Sequence, residues 1–197
     1  MSELRASIKA KQAETLARLT PNTLHIALYL RSDPPLPNDF HWAFYLHNGT
    51  GSTPVGTKYH VRGIGGGWIP GHEATAGIFA ENFLCVMIQI GTIPASAHAR
   101  VDELMRINDQ TLNSIPGITC RTWLLEVLGV LVEEGFVHCD VRELEKDCME
   151  IGNEHSWSAS TNEQPRPAVM WRKASLYWRF TGRCWLGSVV LDYTFSA

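Results

Sequence analysis

No run of about 18 apolar residues occurs anywhere in the chain, so no membrane-crossing helix is expected. The opening MSELRASIKAKQAETLARL lacks the apolar centre of a secretory leader. Cysteine is sparse and odd in number. The five (Cys85, Cys120, Cys139, Cys148 and Cys184) include no C-x-x-C pair, which is the wrong pattern for a secreted disulfide framework. Basic charge is not in excess: 17 Lys and Arg against 20 Asp and Glu leave a formal charge of -3. Such a balance provides no field for nucleic acid or an anionic membrane. The glycine-rich GIGGGW is not followed by the lysine and hydroxyl residue of a phosphate loop. The histidines and cysteines lack metal-ligand spacing, so no metal or cofactor is expected. These absences together imply a cytoplasmic, reducing setting with free thiols.

What remains is an ordinary globular composition. Hydrophobic residues make up 45% of 197, enough for one compact core. Residues 1–22 read as an N-terminal helical appendage, with a thin stripe of Leu4, Ile8, Leu16 and Leu19. Strands are expected at 23–30, 41–46, 58–63 and 81–91, the middle two as a hairpin across a wide loop. Helices are expected at 96–109, 119–135 and 140–151. Gly135 stands where a helix C-terminal glycine belongs, and Asp140 and Glu143 have capping-box spacing. The main domain is read as 23–155. Residues 156–197 are read as a linker and a tail whose packing the sequence leaves open. The aromatics Trp171, Tyr177, Trp178 and Trp185 there suit an exposed interface.

Cys120 falls in the first turn of the clearest helix, just after Thr119 as its N-cap. Helix N-termini carry unpaired N–H groups and about half a positive charge, which favour a thiolate and an oxyanion. Cys120, Leu124, Val127 and Leu131 share one helix face, expected to lie on the sheet. Alternation in HWAFYL puts His41, Ala43 and Tyr45 on one strand face and Trp42, Phe44 and Leu46 on the other. His60, on the partner strand, can stand beside His41. The set then reads as nucleophile Cys120, base His41 and orienter His60. Trp42, Tyr45 and Trp68 are the expected substrate contacts. The plain alternative stays open, because free cysteines and strand histidines are often simply packed.

The motifs HWAFYL, YHV and TCRTWLLEVL, in that order, resemble the permuted NlpC/P60 papain-like superfamily. They are similar to its lecithin:retinol acyltransferase-like and PPPDE peptidase groups, and to small fungal proteins with HWAL, YHV and NCRTW segments. The resemblance covers about residues 23–151. It implies an α+β papain-like fold, an antiparallel sheet packed against a helix that carries the cysteine at its N-terminus. It also implies acyl transfer on an amide, ester or thioester of a small molecule or peptide, ring closure included. Thr119 stands where those relatives have asparagine. An inactive binding module, or a peptidase of ubiquitin-like conjugates, are the alternative expectations.

Overall fold

The structure is a computed structural model and describes residues 2–52 and 54–171. The order of elements is α1 (Ser2–Ala17), β1 (Thr23–Leu30), β2 (Phe40–His47), β3 (Gly56–Tyr59), β4 (Val61–Gly63), β5 (Trp68–Pro70) and β6 (Glu73–Thr75). There follow β7 (Leu84–Thr92), α2 (His98–Met105), α3 (Cys120–Glu133), α4 (Val141–Ser160) and β8 (Ala168–Met170). Six strands form one mixed sheet in the order β6-β3-β2-β1-β7-β8, antiparallel throughout except for β7 with β8. β4 and β5 make a separate hairpin. The fold is thus α+β with a mostly antiparallel sheet.

β1 is buried along its whole length because it is flanked by β2 and β7 and covered on both faces. One face, with Leu24, Ile26, Leu28, Trp42, Phe44 and Leu46, packs against α3 and α4. The other carries Ala27, Tyr29, Ala43, Tyr45 and Met87. It is covered by Ile78 and Phe79 from a short 3-10 turn, with Leu16 and Leu19 packed alongside. None of the residues of α1 itself is buried, as its weak stripe implies.

Local signals in α3 and α4 appear as expected. The Thr122 amide donates to Thr119 Oγ1 at 3.1 Å, and the Thr119 amide donates back to Thr122 Oγ1 at 2.7 Å. Gly135, at φ +77°, closes α3: its N–H donates to the Val132 carbonyl and that of Phe136 to the Leu131 carbonyl. The Asp140 carboxylate accepts from the Glu143 amide at 2.9 Å.

Three expectations need correction. First, α4 does not stop at 151 but runs to Ser160, through the stretch read as the start of a linker. Gly152 there marks close packing, since a Cβ would stand 2.8 Å from Phe40 and 2.9 Å from Leu28. Second, 58–63 is not one strand. It breaks at His60, with β3 in the main sheet and β4 in the small hairpin. Third, Trp171 is not an exposed aromatic. It is 2% exposed and its indole N–H donates to Asp147 at 2.7 Å. Tyr177, Trp178, Trp185 and the expected tail strands lie outside the described residues.

Candidate functional site

His41 is the second residue of β2, on the Tyr29 face of the sheet and directly opposite Tyr29 on β1. His60 sits at the break between β3 and β4 and turns its ring the same way. His41 Nε2 and His60 Nδ1 lie 2.8 Å apart, with the rings edge to face at 81°. The break that holds His60 is pinned from behind. Its backbone N–H donates to His72 Nδ1 at 3.2 Å, and His72 Nε2 contacts Asp109 at 2.9 Å. An imidazole that accepts at Nδ1 holds its proton on Nε2, so His72 donates to Asp109. Both His72 nitrogens are occupied, and the residue holds the backbone of His60 in place.

Both paired histidines are kept neutral. Burial pushes His41 down to about 4, with the positive charges of Lys58 and Arg31 adding to the effect. His60 is also pushed down to about 4, by burial first and then by His41 and Lys58. One inner nitrogen must therefore donate and the other accept. The outer nitrogens, His41 Nδ1 and His60 Nε2, have no hydrogen-bond partner among the described residues and are not sealed from solvent.

They border an open cavity of about 620 Å³. Lys58 crosses its floor and donates to Glu73 and Glu81, each at 2.7 Å. Burial alone would lower the Lys58 ammonium, but the two carboxylates outweigh it and hold it above its ordinary range. The Tyr29 hydroxyl donates to Glu81 at 2.9 Å. Burial and Glu81 together push that phenol well up, so it stays protonated.

Cys120 lies elsewhere. It is 4% exposed, at the first position of α3, within the core on the Trp42–Phe44 face. Among the described residues its sulfur makes no hydrogen bond, and it does not line the His41 cavity. The sequence puts the helix stripe on the His41 face, but α3 packs on the other. The physical reason is area: Trp42, Phe44 and Leu46 present far more apolar surface than His41, Ala43 and Tyr45. Phe44 and Trp123 meet at 6.1 Å between ring centroids.

The expected substrate contacts are also absent from the cavity. Trp42 is a core residue, and Tyr45 is fully buried with its hydroxyl 3.1 Å from His47 Nδ1. Trp68 is half-buried against the α3-side core. Its backbone N–H donates to Asn113 Oδ1 at 2.7 Å and its carbonyl accepts from Asn113 Nδ2 at 3.0 Å. The glycine loop is thereby clamped at its end. The sequence reading missed Lys58, Glu73, Glu81, Tyr29 and the His72–Asp109 pair. No local spacing marks them, because strand register and long loops assemble them.

Among the described residues no group of three or more His, Cys, Asp and Glu side chains is placed to hold a metal ion, and no helix is long and apolar enough to cross a membrane. No curated protein and no solved structure matches the chain. A family model does match, over residues 28–138, which is more than half of the sequence and includes His41, His60, His72, Asp109 and Cys120. The chain belongs to that family, described as a family of unknown function, DUF6540.

Proposed function

We propose that the protein is an enzyme of small-molecule proton-transfer chemistry whose centre is the His41–His60 pair. The observation that carries this reading is the 2.8 Å contact between two neutral imidazoles with open outer nitrogens. When His41 Nε2 donates to His60 Nδ1, His41 Nδ1 offers a lone pair and His60 Nε2 an N–H. Shifting the shared proton reverses the two ends. The pair thus presents one acceptor and one donor to the same cavity and can take a proton at one end while releasing one at the other. A depressed basicity suits a pair that must remain unprotonated near neutral pH. Lys58, Glu81 and Tyr29 supply fixed polar groups around the substrate.

A second reading is thiol acyl transfer through Cys120. It is favoured by the cysteine's place at the N-terminus of a 14-residue helix, inside the family match. Cys120 would attack an acyl carbon while a histidine took the thiol proton and passed it to the departing amine, alcohol or thiol, and water or another nucleophile would then release the acyl group. It requires that the sulfur and an imidazole meet; Cys120 does not line the cavity bordered by His41 and His60, whereas His72 lies against Trp123 of the same helix.

One experiment separates the two. Wild type, His41→Gln and Cys120→Ala are each incubated with a broad set of small metabolites, and conversions are followed by mass spectrometry. The proposal expects turnover that survives Cys120→Ala and is lost in His41→Gln. Turnover lost in Cys120→Ala, with Cys120 alkylated by iodoacetamide at pH 6 faster than in a denatured control, would establish the thiol reading instead. No conversion by wild type would leave a binding module.

A further inference from the structure

Lys58 is the one cation among the described residues that line the His41 cavity. It is 8% exposed, and its ammonium carries three N–H donors. One goes to Glu73 and one to Glu81, each at 2.7 Å. The third has no acceptor among the described residues. The ammonium also lies over the Tyr29 ring, 5.8 Å from its centroid. Burial alone would favour the free amine, but the two carboxylates outweigh it, so Lys58 is a donor and not a nucleophile. A spare donor on the floor of a cavity calls for an acceptor oxygen on whatever binds there.

That donor lies beside the histidine pair. Lys58 on β3 and His60 just past its end are two residues apart, about 6.6 Å along a strand, and both line the cavity. Tyr29 neighbours Lys58 and His41 alike, its ring centroid standing 6.0 Å from that of His41. After burial, the charge of Lys58 acts most strongly on His41. One small molecule can therefore rest an oxygen on Lys58 and turn the adjacent carbon toward the histidines. The lining also selects by charge. Glu73 and Glu81 outnumber Lys58 and the histidines are neutral, so a carboxylate or phosphate on the substrate is disfavoured.

We infer that the substrate of the histidine pair is a neutral, enolisable carbonyl compound whose carbonyl oxygen accepts the third Lys58 N–H. The inference rests on the proton-transfer reading of the pair. His41 Nδ1 takes the proton from the carbon next to the carbonyl. The C–H electron pair becomes the C=C bond of the enolate, and the carbonyl π pair moves onto oxygen, where Lys58 stabilises it. His41 passes its Nε2 proton to His60 Nδ1, and His60 releases its own Nε2 proton to solvent. Reversal returns a solvent proton to the same carbon, so nothing is oxidised or reduced and no co-reactant is used.

Hydroxyacetone, a neutral probe, and pyruvate, an anionic one, test this. Each is incubated with the full chain in D2O at pH 8, and loss of the C–H signals beside the carbonyl is followed by proton NMR against a protein-free control. Circular dichroism verifies the fold of each variant. Wild type should exchange hydroxyacetone saturably, with an acceleration at least about fivefold greater than for pyruvate, since like charges repel at the site. Lys58→Met should slow exchange at least about 100-fold, the usual loss when one oxyanion donor is removed. The same change makes the histidines more basic, which by itself would speed proton removal, so slower exchange reports the contact with oxygen. Glu81→Gln removes one negative charge and leaves Lys58 bound to Glu73, so it should narrow the gap between the two probes. Exchange lost in His41→Gln but kept in folded Lys58→Met overturns this inference and leaves the proton-transfer reading standing. Exchange kept in His41→Gln overturns both. No exchange above the control, equal acceleration of the two probes, or an unchanged gap in Glu81→Gln also overturns the inference, and the metabolite conversions then decide the reading separately.

Discussion

Gly71 lies against the imidazole of His60 so closely that no side chain fits between them: a Cβ on Gly71 would stand 2.6 Å from His60 Nε2. The glycine therefore sets where one end of the histidine pair can sit. Gly71→Ala should displace the His60 ring and break its contact with His41. The expected result is a protein destabilised by roughly 1–3 kcal/mol, as for other overpacked sites. The imidazole signals of both histidines should shift in NMR spectra. Unchanged signals would mean that the pair does not depend on this contact.

Stability should fall on mild acidification. His25 is pushed down to about 3, by burial first and then by His47, and His41 and His60 to about 4, all from 6.5. Each binds its proton more readily in the unfolded chain, so the unfolded state holds more protons between about pH 6.5 and 4. The stabilisation is complete above pH 6.5 and is lost as the pH drops toward 4. The slope is up to about 1.4 kcal/mol per pH unit for each histidine. Urea titrations at pH 7.5, 6, 5 and 4.5 measure it; a flat profile would contradict the neutral assignment.

Lys58 should hold down the basicity of both site histidines, since its charge faces each of them. Lys58→Met removes a cation, which makes protonation easier, so both values should rise from about 4. Lys58→Arg should keep them low. Titration of the imidazole C–H resonances distinguishes the variants, and equal values in Met and Arg would remove Lys58 from the electrostatics of the site.

Gly152→Ala should destabilise the protein although alanine is the better helix former by about 1 kcal/mol. The new methyl would overlap Phe40 and Leu28, at a cost of roughly 1–3 kcal/mol. Pairing it with Phe40→Leu should recover part of the loss in thermal or urea unfolding. A more stable single variant would show that α4 is free to move off the sheet.

Thiol chemistry offers a separate check on the core. Burial pushes Cys85 and Cys139 up to about 12, with neighbouring acids adding to it at Cys139, and pushes Cys148 higher still. In the native protein all three should resist iodoacetamide at pH 8 and react only on unfolding, as read by peptide mass mapping.

Much of the fold is legible locally. The TLHIALYL and HWAFYLH strands, the cap at Thr119, the C-terminal glycine Gly135 and the start of α4 at Asp140 each depend on a few neighbouring residues. The meeting of His41 and His60 was also within reach, because strand alternation and a hairpin put both on one face. Gly152 was misleading because a glycine in a polar stretch reads as a break, whereas here it admits β1 and β2 to the helix surface. The break at His60 was hidden, because β3 and β4 share one apolar rhythm but join different sheets.

The sequence by itself determined the long strands β1, β2 and β7, where α3 and α4 begin and how they are capped, and that His41 and His60 can share a face. These follow from periodicities and capping chemistry that act over a few residues. Only the tertiary structure decided which face α3 would cover. Alternation gives every strand two faces, and the choice between them is settled by the apolar area each presents once the whole sheet is built. Trp42, Phe44 and Leu46 won that choice, which set Cys120 in the core on one face and left the two histidines with Lys58, Glu73 and Glu81 on the other.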